Sequence, residues 1–165
     1  MLGKTYKGQH CPIARALEIV GERWSLLILR DSLYWGARRF TEFQRSLGVA
    51  SNILAARLEA FVQEGVLELD PSSHRADQRE YSLTEKGRDF ASVLMALQAW
   101  GERWATDDAP SVTLQHDGCG GQLELAVRCS HCGDLPEVPP FTASVAPPGP
   151  PARRRPRKAS AARSS

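Results

Sequence analysis

Between Val49 and Gly65 the apolar residues Ile53, Leu54, Leu58, Phe61 and Val62 recur at three- and four-residue spacing, giving a helix one buried stripe. The opposite face carries Ser51, Asn52, Ala55, Ala56, Glu59 and Gln63. Small and hydrogen-bonding residues crowd the first two turns of that face. A helix end entering a DNA major groove needs such residues, because it must bring its backbone close and read base edges. An ordinary solvated helix has the same pattern, so the flanking segments decide between the two.

Upstream, Pro12 suits the first position of a helix with Ile13, Ala16, Leu17 and Val20 on one face, and Gly21 interrupts it. A second helix is predicted from about Trp24 to Leu33, with Trp24, Leu27, Ile28 and Leu29 mostly buried. Residues 36–40 read as a short extended connection. A third helix starts near Thr41, where Thr41 and Gln44 match the S/T-x-x-E/Q capping box and Phe43 and Leu47 face inward. Gly48 closes it. Only Gly48, Val49 and Ala50 then separate it from the helix described first, so residues 41–64 have the spacing of a helix-turn-helix. Gly65 sits where a C-terminal cap belongs.

Residues 66–69 and 80–83 are short runs of strand formers joined by a ten-residue polar segment. Directly after a helix-turn-helix, such a hairpin is a wing, and a tip carrying His74, Arg75 and Arg79 reaches phosphates or the minor groove. Thr84 caps a predicted long helix over residues 84–108, with Phe90, Val93, Leu94, Leu97, Trp100 and Trp104 along one side. Leaving two tryptophans in water costs up to ~3 kcal/mol each. Either the first helix of the same chain covers them or a second copy does. Packing of Leu94, Leu97, Trp100 and Trp104 across a twofold axis is the preferred reading, since a symmetric dimer sets two recognition helices about 34 Å apart.

With 165 residues and 42% hydrophobic content, the chain suits one ordinary domain plus extensions. It has no run of 18 apolar residues and no apolar core near its start, so a soluble cytoplasmic protein without membrane association is expected. Six of the 21 basic residues (Arg153, Arg154, Arg155, Arg157, Lys158 and Arg163) lie in the last twenty positions, leaving 15 against all 19 acids elsewhere. The body is therefore not globally basic, and binding to nucleic acid must use a local patch, a partner or the tail. Nothing points to an enzyme: there is no nucleophile elbow, phosphate-cradling glycine loop or carboxylate pair in a plausible cleft.

Seven short motifs occur in order: Cys11-Pro12-Ile13; Gly21-Glu22-Arg23-Trp24; Arg39-Phe40-Thr41-Glu42-Phe43; Leu54 with Arg57-Leu58; Glu64-Gly65-Val66; Tyr81-Ser82-Leu83-Thr84 with Gly87; and Trp100-Gly101. Over residues 11 to 108 the chain resembles the HxlR-type winged helix-turn-helix transcriptional regulators, which are related in fold to MarR-like proteins. The resemblance implies a mainly α fold with a small β-hairpin wing. It also implies a bacterial homodimer that represses or activates transcription by binding double-stranded DNA at palindromic operators. The family pattern puts base contacts on Ser51, Asn52, Ala55 and Ala56. Arg57 reaches a phosphate or lies across the core edge. Arg38, Arg39, Thr41 and Gln44 sit where the preceding helix crosses the DNA backbone, setting register without reading sequence. Some family members sense oxidants or electrophiles through a cysteine at the position of Cys11. That thiol precedes a helix start, where oriented amides favour a thiolate; the bland alternative is a small buried residue.

Four cysteines without a secretion signal point to metal or redox chemistry rather than a disulfide framework. His116-Asp117-Gly118-Cys119-Gly120 and Cys129-Ser130-His131-Cys132-Gly133 share the ligand-x-x-Cys-Gly form of a zinc knuckle. The candidate ligands are His116, Cys119, Cys129 and Cys132, with His131 a less regular substitute. No cofactor is required by the DNA-binding reading. Leu123, Leu125 and Val127 alternate with polar neighbours as in a strand, and a straight strand there would hold the two halves on the order of 25–30 Å apart. A Cys129–Cys132 dithiol switch and a metal-free ribbon remnant are the competing readings. From Pro136 the composition shifts to Pro, Ala, Gly, Arg and Ser, as in a disordered basic tail, either a phosphate tether or a solubilising segment. The expected organisation is an arm over 1–10, a winged-helix domain over 11–108, a Cys/His-rich β extension over 109–135 and the tail over 136–165. The rival function is a protein-interaction module that uses the winged-helix fold and docks through its Cys-rich end.

Overall fold

The computed structural model describes residues 5, 6, 8, 10–70, 79–105, 112–135 and 140–143. Its contacts divide it into two compact units, Met1–Leu125 and Ala126–Ser165. No helix among the described residues is long and apolar enough to cross a membrane.

In the first unit, α1 (Pro12–Val20) and α2 (Ser25–Tyr34) precede α3 (Phe40–Leu47) and α4 (Ser51–Gln63). Strands β1 (Leu67–Leu69) and β2 (Tyr81–Leu83) pair antiparallel, Leu67 opposite Leu83 and Leu69 opposite Tyr81. A short α5 (Glu85–Arg88) and α6 (Ala91–Trp104) complete the helical body. Ile28, Leu29, Phe43, Leu54, Leu58 and Phe61 are buried to within 1% at the centre of the core, joined by Val20, Val49, Val66, Leu67 and Leu94. Burial of each large apolar side chain contributes about 1.5–3 kcal/mol, so α2, α3, α4 and β1 hold one another in place.

Local chemistry fixes the helix ends. Gly48 ends α3 at φ 60°, a left-handed conformation that suits a residue without Cβ, and its amide donates to the Gln44 carbonyl at 3.0 Å. Gly65 repeats this after α4 at φ 65°, with its amide bonded to the Val62 carbonyl at 3.1 Å and the Val66 amide to the Phe61 carbonyl at 2.8 Å. These two hydrogen bonds stop the helix where the wing begins. Thr84 caps α5 as expected: its hydroxyl accepts from the Gly87 amide at 3.2 Å and donates to the Gly65 carbonyl at 2.7 Å. Trp24 caps α2 at φ 78°, an uncommon conformation for a side chain of its size, with the Arg23 guanidinium over its ring at 5.2 Å.

Several expectations change. On α1 it is Ala14 and Val20 that are buried, while Ile13 (69% exposed) and Leu17 face outward. Leu27 and Ile53 are also exposed, and α2 buries Ser25 and Asp31 instead. The box at the start of α3 uses Glu42, not Thr41 and Gln44: one Glu42 carboxylate oxygen accepts from the Arg38 and Arg39 amides at 2.8 and 2.9 Å. The long helix predicted over 84–108 is two helices, bent at Asp89 and Phe90. Residues 123–126 carry no strand. Of the alternating positions Leu123, Leu125 and Val127, Val127 alone lies in a strand: the first unit has an isolated Gln115–Gln122 bridge, and in the second β3 (Val127–Cys129) pairs antiparallel with β4 (Gly133–Leu135).

Candidate nucleic-acid interface

The start of α4 projects from a rigid base. Leu54, Leu58 and Phe61 anchor one side in the core, which leaves Ser51, Asn52, Ala55 and Ala56 exposed on the other. Val49, in the turn before them, is buried and fixes the entry of the chain. No side chain caps the first turn of α4, so its leading amides keep the open, positive character that attracts phosphate. The Gln44 side-chain amide donates to the Ser51 hydroxyl at 2.6 Å. This bond spans the helix-turn-helix and couples a residue expected at the DNA backbone to one expected at the bases.

The approach to α3 is tied to the wing. The Tyr81 amide donates to the Arg38 carbonyl at 2.7 Å, Arg39 and Glu80 form an isolated antiparallel bridge, and the Arg39 guanidinium donates through Nε and NH2 to one Glu80 oxygen at 3.0 and 2.7 Å. Hydrogen bonding to Glu80, reinforced by its charge, raises the Arg39 pKa. The Arg38 and Arg39 amides hold the Glu42 carboxyl below its ordinary value, so Glu42 keeps its charge, and this cap, under mild acidification. Arg38, Thr41 and Arg79 are exposed on the same segments. His74 and Arg75 lie outside the described residues.

Two of the predicted contact arginines have acidic partners. Arg39 is engaged by Glu80, and Arg57 has a largely buried side chain whose NH1 lies 3.7 Å from Glu22 Oε2, at the edge of the core between α1 and α4. Sequence reasoning missed Glu42, Glu80 and Tyr81, which brace this surface through hydrogen bonds to Arg38 and Arg39. Glu42 had a local signal, three residues after Arg39, whereas Glu80 lies 41 residues from its partner and had none.

The cysteines fall in separate places. Cys11 is the half-exposed N-cap of α1, its carbonyl accepting from the Arg15 amide at 3.1 Å. In the first unit the His116 ring Nδ1 is 3.3 Å from Cys119 Sγ, and Cys119 and Gly120 donate their amides to the His116 carbonyl. In the second, Cys129 sits at the β3–β4 turn, and hydrogen bonds from the Cys132 and His131 amides and the Cys132 side chain lower its pKa. Among the described residues no group of three or more His, Cys, Asp or Glu side chains is placed to hold a metal ion.

Leu94 of the expected dimer face is buried in the core of its own chain. Leu97, Trp100 and Trp104 are 45%, 62% and 65% exposed, and Val93 joins them.

Residues 19–109 match the family described as HxlR-like helix-turn-helix. Rv3095 of Mycobacterium tuberculosis, named as an uncharacterized HTH-type transcriptional regulator, is 39% identical over 123 residues, 74% of this chain and 77% of its own length. Among solved structures, PA1607, described as a candidate transcription factor, is 41% identical with a TM-score of 0.68, covering 78% of this chain and 91% of its own. PA1374 of Pseudomonas aeruginosa, described in the same terms, is 42% identical with a TM-score of 0.52, covering 82% and 95%.

Proposed function

The chain belongs to the HxlR-like helix-turn-helix family, and from that premise we propose that it regulates transcription as a homodimer on a palindromic operator, reading bases through Ser51 and Asn52. It is a DNA-binding transcriptional regulator with a winged helix-turn-helix. The observation that carries the base-reading claim is the exposed start of α4, presented by a buried turn and braced by the Gln44–Ser51 bond. Asn52 offers the paired donor and acceptor that match an adenine edge. Ala55 and Ala56 permit close approach. Arg38, Thr41 and Arg79 contribute phosphate contacts, which position the helix without carrying sequence information. An electrophoretic shift with DNA from upstream of the protein's own gene tests this reading: a retarded band that shuffled DNA of equal length competes poorly is expected. Equal competition would favour an interaction module.

Redox responsiveness is a second part of the proposal and rests on the accessibility of Cys11 at a helix start. Cys11→Ser is expected to retain operator binding and to lose any response of that binding to diamide; a variant that still responds removes Cys11 from the mechanism.

A further inference from the structure

Away from α4, a cleft opens between the end of α2, one side of α6 and residues 112–125, all within the first unit. Its two lobes measure about 360 and 460 Å3 and share walls from Met95, Val112, Leu114 and Leu123. The outer wall is a built element: the Leu123 amide donates to the Leu114 carbonyl at 2.8 Å, the His116 amide donates to the Gly121 carbonyl at 2.8 Å, and the Gln98 side-chain amide donates to the Val112 carbonyl at 2.6 Å.

Three properties of the cleft do not serve the protein alone. Trp35, Leu123 and Leu125 leave apolar surface open at its mouth, 61%, 44% and 50% exposed. The Tyr34 hydroxyl and Gln98 Oε1, on residues that line the two lobes, are buried without a hydrogen-bond partner. Orphaned polar atoms of this kind are costly unless a ligand or water answers them. The charged residues lining the two lobes are Glu102, Asp117 and Glu124, with no basic side chain among the lining residues.

We propose that this cleft binds a small organic cation, an aromatic ring system carrying N–H donors. Its ring packs on Met95, Leu114 and Leu123 and against the Trp35 and Tyr34 rings, which attract cations through their faces. Its N–H donors and positive charge meet the carboxylates that line the cleft, which favour positive over negative ligands. Burial, and after it the Glu102 charge, raises the Tyr34 pKa, so the phenol stays neutral and available as a hydrogen-bonding group. This site is additional to the DNA-binding surface.

Rhodamine 6G, a cationic xanthene with N–H donors, and fluorescein, an anionic xanthene, provide a matched test by fluorescence anisotropy on the full chain without DNA. Saturable binding of rhodamine 6G at one site per chain is expected, with fluorescein at least about tenfold weaker. Combined Asp117→Asn and Glu124→Gln should weaken the cation by on the order of tenfold, and Leu123→Arg should abolish its binding while thermal unfolding stays cooperative. Absence of rhodamine 6G binding, equal binding of both dyes, or binding indifferent to Leu123→Arg would each overturn the proposal. Because no DNA is present, failure of operator recognition leaves these outcomes unaffected.

Discussion

Replacing Trp100 by Glu is expected to convert the proposed dimer into a monomer and to weaken operator binding by on the order of 100-fold or more, the advantage that linking two binding modules provides. The basis is exposed apolar surface. Trp100 and Trp104 are 62% and 65% exposed and Leu97 and Val93 accompany them on α6, while α1 turns Ile13 and Leu17 outward. Leu94, on the inner side of α6, is already buried, so the helix is held by its own chain on one face and uncovered on the other. Val93, Leu97, Trp100 and Trp104 share one face of α6 by helical spacing, and an exposed apolar face of this kind marks an interaction surface. A self-complementary one yields a twofold dimer, which matches a palindromic operator. Glu at position 100 places a charge where a second copy would desolvate it and touches no core residue, so the monomer should stay folded. Sedimentation and operator titration on the same sample check both effects. A variant that remains dimeric would place the interface elsewhere.

Phe43→Ala should destabilise the domain by about 3–5 kcal/mol, with a fall in thermal midpoint of more than about 10 °C. Phe43 has no solvent exposure, and its ring meets Tyr81 edge to face, centroids 6.4 Å apart. Tyr81 belongs to β2 and its amide holds the Arg38 carbonyl, so this one ring supports both the helix-turn-helix and the wing. Removing it leaves a cavity where α3, α4 and the hairpin converge. Calorimetry measures the loss; a change below about 1 kcal/mol would mean that the site collapses around the gap and that the wing has other anchors.

The DNA-reading element was legible because its signals are local. Apolar spacing, a tight turn containing Gly48, Gly65 at a helix end and two strand-forming runs each follow from neighbouring residues. The orientation of α1 was not legible: periodicity identifies an apolar face but not what covers it, and Ile13 and Leu17 proved to be on the uncovered side. The bend between α5 and α6 had no proline to announce it, and Asp89 and Phe90 keep right-handed helical angles through it. At α3 the S/T-x-x-E/Q pattern fits Thr41 and Gln44, yet Glu42 forms the cap because its carboxylate reaches the Arg38 and Arg39 amides at once. The ion pair that engages Arg39 joins residues far apart in sequence and follows only from the fold. For the Cys/His segment, the alternation of Leu123, Leu125 and Val127 resembled a strand, but residues 123–126 carry none.

Base reading by α4 is the central claim, and the affinities of wild type and Asn52→Ala for upstream DNA and for shuffled DNA of equal length, at one salt concentration, test it most directly. The predicted result is a loss of about 1–3 kcal/mol on the upstream sequence with affinity for shuffled DNA nearly unchanged. Equal losses on both sequences would contradict it, and would place Asn52 among the residues that merely hold the protein to the DNA backbone.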